Sequence, residues 1–218
     1  MKRVAPGSAA GEPERQYGDV PWVTLLRPGE FASFLELRTA VAAESSHLET
    51  EPGELEETAC VSHSLLEALG ANPSSAVFVA RRTEGLAGWV ALYGGQLRRT
   101  RHTAELEIGV RRAYRRRGLG HALLKAALRH VAASDGLVKV TLRVMGTNAP
   151  ALRLFARHGF EVEGRVRAAF RVGDSCVDEL ILGHQSVRHR ESSAQGPDGL
   201  TQGVALEPNE RSCWNVGP

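Results

Sequence analysis

A basic segment that ends in two closely spaced glycines is the part of this 218-residue sequence with the clearest chemical meaning. Five of the seven residues from 111 to 117 are arginines, and Gly118-Leu119-Gly120 follows directly. A helix N-terminus exposes unpaired N–H groups and a partial positive charge, both of which suit a phosphate group. Glycines let the backbone approach such a group closely, because they carry no Cβ atom. The segment indicates a phosphate-binding turn, although a solvated basic turn with two packing glycines is an alternative.

Two familiar phosphate-binding motifs are excluded. Gly118-Leu119-Gly120 lacks the third glycine of a dinucleotide fingerprint, and no Gly-Lys-Ser/Thr of a P-loop follows it.

The neighbouring segments place the turn between a strand and a helix. Residues 105–110 alternate as a strand does, and apolar residues recur at helical spacing from 119 to 131. The remaining patterns complete the order β-α-α-β-β-β-α-β-α-β-β, with strands near 22–26, 76–80, 86–93, 139–144, 160–172 and 175–183 and helices near 31–41, 54–70 and 148–159. This order predicts an α/β (α+β) fold, in which helices cover a mixed sheet.

The composition of the chain limits the classes of function that it can have. The 27 basic and 25 acidic residues leave a net charge of +2, which argues against general nucleic-acid binding. No apolar run is long enough to cross a membrane. Residues 1–20 and 184–218 are rich in turn formers and charge, so we expect a flexible N-terminal leader and a flexible C-terminal tail around one domain at 21–183.

Three cysteines and the N-terminus bear on location. Cys60, Cys176 and Cys213 are widely scattered, which is typical of reduced intracellular thiols and not of a disulfide framework or a zinc site. The first residues lack the apolar stretch of a secretory signal. We therefore predict a cytoplasmic protein with no metal site.

Two motifs resemble one family. Residues 110–120 are similar to the acetyl-CoA motif, Gln/Arg-x-x-Gly-x-Gly/Ala, of the GCN5-related N-acetyltransferase (GNAT) superfamily. Residues 148–160 resemble its later Asn-x-x-Ala helix, which ends in Gly-Phe, and Glu163-Gly164 and Asp178 resemble its closing strands. The resemblance covers about 22–183.

The resemblance implies a GNAT-like, mostly antiparallel sheet flanked by about four helices. It also implies that two central strands splay, between 106–110 and 140–144, where acetyl-CoA enters as acyl donor. The residues implied to bind acetyl-CoA are Ile108, Gly109 and Val110 beside the pantetheine and thioester, the N–H groups of Arg115, Arg116, Arg117, Gly118, Leu119 and Gly120 around the pyrophosphate, and His121, Asn148, Ala151 and Phe155.

The implied reaction moves the acetyl group directly to a primary amine. An amine with a pKa near ~10 must lose a proton before it attacks, and a carboxylate or a water chain can accept that proton. Glu107 is the first candidate for the base and Glu105 the second, because both lie on one face of the predicted strand. Either residue could instead be an exposed strand carboxylate. A strand N–H near Val110 could stabilise the carbonyl oxygen as it gains charge.

One residue departs from the family pattern. Many relatives carry a tyrosine where Phe155 stands, and its hydroxyl can protonate the leaving thiolate. Here Tyr114 or a water could serve, or the thiolate could leave unaided, since a thiol of pKa roughly 8.5 is a tolerable leaving group near neutral pH.

The acceptor amine is not determined by the sequence. A small molecule or peptide, the N-terminus of a protein as in ribosomal-protein acetyltransferases, and a non-catalytic acyl-CoA sensor are the alternatives. Residues 30–75 and 93–103 should shape the acceptor site. The sequence is compatible with a homodimer without requiring one, and we expect no nucleic-acid or membrane partner.

Overall fold

The computed structural model describes residues 22–27, 29–48 and 72–186. The predicted leader at 1–20, the predicted helix at 54–70 and the tail from 187 onward lie outside these ranges. The proposed domain limits of 21 and 183 therefore stay a prediction, and the last described strand continues to Gln185.

The described residues contain seven strands and three α-helices, which follow one another in the order that the sequence patterns predict. A short 3-10 turn, Arg112–Tyr114, precedes the second helix. The elements are β1 Trp22–Leu25, α1 Phe31–Ala43, β2 Ala76–Arg82, β3 Gly85–Gly94, β4 Thr103–Val110, α2 Leu119–Ala133, β5 Lys139–Met145, α3 Ala149–Arg157, β6 Glu161–Val172 and β7 Ser175–Gln185.

The strands form one sheet in the order β1-β2-β3-β4-β5-β7-β6. Every neighbouring pair is antiparallel except β4 and β5, which run parallel. The β4–β5 pairing stops at Glu105 opposite Thr141, so the two strands separate beyond that point. The predicted fold class and the splayed central strands are confirmed. About four helices are predicted, and the described ranges contain three α-helices.

Two apolar clusters hold helices on opposite faces of the sheet. One face is covered by α2 and α3; Leu123, Leu124 and Ala127 are completely buried there because the apolar positions of α2 form one stripe. The other face is covered by α1, through Phe34 and Leu37. The core therefore fixes α1 on one side of β4 and α2 on the other.

A glycine opposite a tryptophan joins β3 to β4. Trp89 pairs with Gly109, is 1% exposed, and meets Phe34 of α1 edge-on with the ring centroids 6.0 Å apart. A Cβ atom on Gly109 would overlap the six-membered ring of Trp89. The absence of a side chain at Gly109 is thus a packing requirement of the sheet.

One prediction about the cysteines is wrong. Cys176 is disulfide-bonded, so the three cysteines are not all reduced. Spacing along the chain does not reveal which thiols the fold brings together. Cys60 and Cys213 lie outside the described ranges. Within those ranges, none of the helices is both long and apolar enough to span a membrane.

We expect Gly109→Ala to lower the free energy of unfolding by about 2 kcal/mol or more, because the added methyl group overpacks the core. Urea unfolding measures the change. Gly164→Ala is the matched control, since a Cβ there makes an ordinary 3.6 Å contact with Ile181. In the double variant with Trp89→Leu the two losses should be less than additive. An unfolding free energy for Gly109→Ala equal to that of the control would contradict this account of the packing.

Candidate active site

The turn between β4 and α2 presents a row of open backbone donors. Its backbone is left-handed at Arg116 (φ 61°) and Gly118 (φ 81°). The first N–H bonded back into α2 is that of Ala122, which donates to the carbonyl oxygen of Gly118 at 3.0 Å. Within the described part of the chain, the N–H groups of residues 116–121 have no hydrogen-bond partner. A helix start with unpaired donors is suited to an anion.

This row differs by one position from the predicted one. The N–H of Arg115 donates to the carbonyl oxygen of Arg112 at 3.2 Å, so it is already engaged. The N–H of His121 is open instead. Gly120 serves a second purpose, because a Cβ there would lie 3.1 Å from Cδ2 of Leu154 on α3.

Three of the five arginines bind Glu44, the residue that caps the C-terminus of α1. The Arg111 Nε lies 2.8 Å from one carboxylate oxygen of Glu44, and the Arg112 N–H donates to the other at 2.5 Å. The Arg115 Nη1 donates to the backbone carbonyl oxygen of Glu44 at 3.3 Å, and the Arg115 Nε donates to the carbonyl oxygen of Val110 at 2.8 Å. These contacts fix the path of the chain as it leaves β4.

The separation of β4 from β5 exposes alternate backbone groups. The N–H of Arg111, just after β4, donates to the carbonyl oxygen of Ala87 of β3, and the carbonyl oxygen of Thr103 accepts from the N–H of Gly95, just after β3. The odd-numbered residues of β4 therefore bond to β3. Because hydrogen-bonding directions alternate along a strand, the groups of Ile108 and Val110 point toward β5. They lie beyond the last β4–β5 pair and face the gap.

A cavity of about 310 Å³ opens at this gap. Of the residues predicted from the sequence, Glu105, Glu107, Ile108, Asn148, Ala151 and Phe155 line it. Its other lining residues that matter for chemistry are Arg38, His47, Tyr93, Arg143, Phe170 and Glu179. The cavity therefore joins charged side chains to the splayed section of β4.

Glu107 is held by two donors. Its carboxylate accepts from the Arg38 Nη2 at 3.0 Å and from the Tyr93 hydroxyl at 2.8 Å. Burial raises the pKa of Tyr93 above its usual value and the Glu107 charge raises it further, so the phenol keeps its proton. The sequence analysis missed both partners. A charged Arg38 within the apolar stripe of α1 was the available signal.

A second group of charges lies across the cavity. The Arg143 Nη1 donates to the buried Glu179 at 2.7 Å, and the Arg143 Nε lies 3.9 Å from Glu105. Glu105 is more than half exposed, with 57% of its side chain accessible, whereas Glu107 is 30% accessible. The two candidate bases thus share a cavity but differ in how firmly they are held.

The residues of the Asn-x-x-Ala motif line another part of the cavity. The Asn148 side chain caps α3 by accepting from the N–H of Ala151 at 3.3 Å. Phe155 is buried against Phe160, with the centroids 5.6 Å apart. Tyr114 is not among the residues around the cavity: its ring lies under the Arg82 guanidinium, 4.9 Å away.

An irregular strand brings Phe170 to the cavity. The β6–β7 register shifts between Val166 and Phe170, and Ala168 within this bulge has φ 50°. Asp178 holds the bulge by accepting from the Ala168 N–H at 2.8 Å and by pairing with Arg165. The hydrogen bond from Ala168 lowers the pKa of Asp178; burial raises it and the contact with Arg165 lowers it further, for a net decrease.

A strand whose backbone faces a gap, followed by a turn whose open N–H groups suit an anion, agrees with the acetyl-CoA motif that the sequence suggests. Residues 41–160 match the acetyltransferase (GNAT) family. The chain belongs to this family, which confirms the predicted class: an N-acetyltransferase that uses acetyl-CoA as acyl donor.

Several individual proteins are similar to the chain. YwnH of Bacillus subtilis (strain 168), a proposed phosphinothricin acetyltransferase, is 32% identical over 120 residues, which cover 53% of this chain and 72% of that protein. A GNAT-family acetyltransferase from Streptococcus pneumoniae superposes with a TM-score of 0.67 at 23% identity, over 76% of this chain and 99% of the other. The phosphinothricin acetyltransferase of Sinorhizobium meliloti, solved with acetyl-CoA, gives 0.62 at 18% identity, over 77% and 89%. The two structural matches show a shared fold.

Gly118→Ala tests the open turn. A residue with a Cβ pays about 1–2 kcal/mol for left-handed backbone, and the turn can relieve this strain only by rotating its N–H groups. We expect weaker acetyl-CoA binding in calorimetry and a folded protein. The control is Gly136→Ala, where a Cβ meets only open space and the backbone is not left-handed. Wild-type affinity in a folded Gly118→Ala variant would exclude this turn from the donor site.

Asp178 predicts a pH dependence of stability. Its pKa is lower in the folded chain than in the unfolded chain, so its contribution is complete above the unfolded pKa and is lost as pH falls through the folded value. We expect wild type to be more stable than Asp178→Asn at pH 6, with the gap narrowing below about pH 4. Asp174→Asn, in the exposed turn of the same hairpin, is the control. A gap that stays constant down to pH 2 would contradict this role.

Proposed function

We propose that the protein transfers the acetyl group of acetyl-CoA directly to the primary amine of a small molecule, and that the acceptor occupies the cavity lined by Glu105 and Glu107. The observation that carries the proposal is the meeting of this cavity with the exposed backbone of β4 at Ile108. Proton acceptors and backbone donors are thereby brought to one place.

The donor site uses the chain's own backbone. The open N–H groups of residues 116–121 suit the pyrophosphate, and the exposed amides near Ile108 and Val110 suit the pantetheine arm. Arg116 and Arg117 add positive charge to the turn. When bound, acetyl-CoA supplies an acetyl thioester. This assignment is supported by the open space at Gly118, where the position of a Cβ atom has no neighbouring atom within 4 Å.

Glu107 accepts the proton of the acceptor amine in this proposal. Arg38 and Tyr93 orient its carboxylate, and each oxygen keeps a further lone pair for an incoming N–H. Glu105, which is more exposed, is the second candidate for the same role. The N–H of Val110 or Ile108 donates to the acetyl carbonyl oxygen, where negative charge develops.

The leaving sulfur receives its proton from water after it departs. Phe155 has no hydroxyl, and the ring of Tyr114 lies against Arg82, away from the cavity. A thiol with a pKa of about 8.5 makes an unaided departure tolerable near neutral pH.

The size and charge of the cavity favour a small acceptor. A volume of about 310 Å³ is at the lower end of ordinary small-molecule sites. The name given to YwnH, a proposed phosphinothricin acetyltransferase, supports a small amine over the N-terminus of a protein. The presence of three carboxylates in the cavity, those of Glu105, Glu107 and Glu179, counts against a non-catalytic sensor. A cytoplasmic location, a homodimer and the absence of a nucleic-acid partner remain predictions.

Glu107→Gln should lower kcat by about 10²-fold with little change in acetyl-CoA affinity, because it removes a proton acceptor and leaves the donor site intact. Thiol release from acetyl-CoA with a panel of small amines measures kcat, and calorimetry measures the affinity. Glu105→Gln is the matched variant and should have the smaller effect. Wild-type turnover by Glu107→Gln across pH 6 to 9 would remove Glu107 from the mechanism.

A further inference from the structure

Helix α1 contacts β4 and its continuation at two separate points. Arg38, within the helix, pairs with Glu107 in the acceptor cavity. Glu44, at its C-terminal end, binds the arginines that follow β4. The same helix therefore reaches the acceptor side and the turn that precedes the open N–H groups.

The Glu44 contacts use both its side chain and its backbone. Its carboxylate oxygens separately accept from the Arg111 Nε and the Arg112 N–H. Its carbonyl oxygen accepts from the Arg112 Nη2 at 2.9 Å and from the Arg115 Nη1 at 3.3 Å. Four hydrogen bonds from three arginines, Arg111, Arg112 and Arg115, converge on this one residue.

Charge reinforces this geometry. Burial raises the pKa of Glu44, but the hydrogen bonds from Arg112 and Arg111 outweigh it, so the net pKa is lowered and the carboxylate is charged at neutral pH. Its negative charge offsets part of the positive charge of the basic segment. Arg116 and Arg117 form no ion pair within the described ranges, so they are the cations of the turn that remain for a ligand.

We propose that Glu44 is the positioning residue of the acetyl-CoA turn, holding Arg111, Arg112 and Arg115 as fixed supports so that residues 116–121 keep their N–H groups in line before the donor binds. Pre-ordering the turn in this way removes an ordering cost from binding. This inference rests on the proposed function, since it assumes that the turn binds acetyl-CoA.

The test compares Glu44→Gln with Glu36→Gln. Both changes remove one negative charge from α1, but Glu36 is exposed and makes none of the contacts above. We expect the acetyl-CoA dissociation constant of Glu44→Gln to rise about tenfold, because the Arg111 side chain and the backbone at Arg112 lose their charged partner and must then be ordered on binding. Glu36→Gln should bind as wild type does. The KM for acetyl-CoA should rise while kcat at saturation changes little.

A cycle with Arg111→Gln separates positioning from general destabilisation. If Glu44 acts through Arg111, then Arg111→Gln weakens binding in the wild-type background and adds little in Glu44→Gln. Equal affinity in Glu44→Gln and Glu36→Gln, or fully additive losses in the double variant, would overturn the inference. Arg111→Gln alone keeps the test decisive should Glu44→Gln fail to fold, since unchanged affinity there would also overturn it. Failure of wild type to bind acetyl-CoA would instead reject the proposed function.

Discussion

The parting of β4 from β5 after Glu105 is the constraint on which the site depends. A backbone group in a sheet normally finds its partner in the next strand, and one left without a partner in a buried place is costly. Here the groups of Ile108 and Val110 face a gap in place of a strand. A ligand with its own amide and carbonyl groups can satisfy them. The strand separation thus leaves ordinary sheet backbone available to a ligand.

One continuous segment supplies most of the proposed chemistry. From Glu105 to His121 the chain provides the candidate proton acceptors, then the exposed strand amides, then the open helix N-terminus. Their spacing is fixed because β4 is held on its other edge by an unbroken antiparallel pairing with β3. The packing of Trp89 against Gly109 keeps β3 and β4 close together at this edge. The rest of the fold holds this segment in place and leaves the β5 side of its strand open beyond Glu105.

The sequence predicted those features that depend on local residue patterns. The order of the elements, the strand before the arginines and the helix after them all follow from periodicity and turn residues, and the family motif located the splay. It did not predict Arg38 beside Glu107, or Glu44 beside Arg111, because these partners are 69 and 67 positions apart. It also offered Tyr114 as one possible proton donor, whereas that ring lies against the Arg82 guanidinium and does not line the cavity. Contacts between distant elements depend on packing, which no local pattern carries.

The central claim is that backbone N–H groups after β4 bind the linked phosphates of acetyl-CoA. The most direct measurement is a titration of the full ¹⁵N-labelled chain with acetyl-CoA, followed through its backbone amide resonances. The account predicts that the resonances of residues 116–121 shift most, together with those of Ile108 and Val110. Binding that leaves the amides of 116–121 unmoved would contradict it.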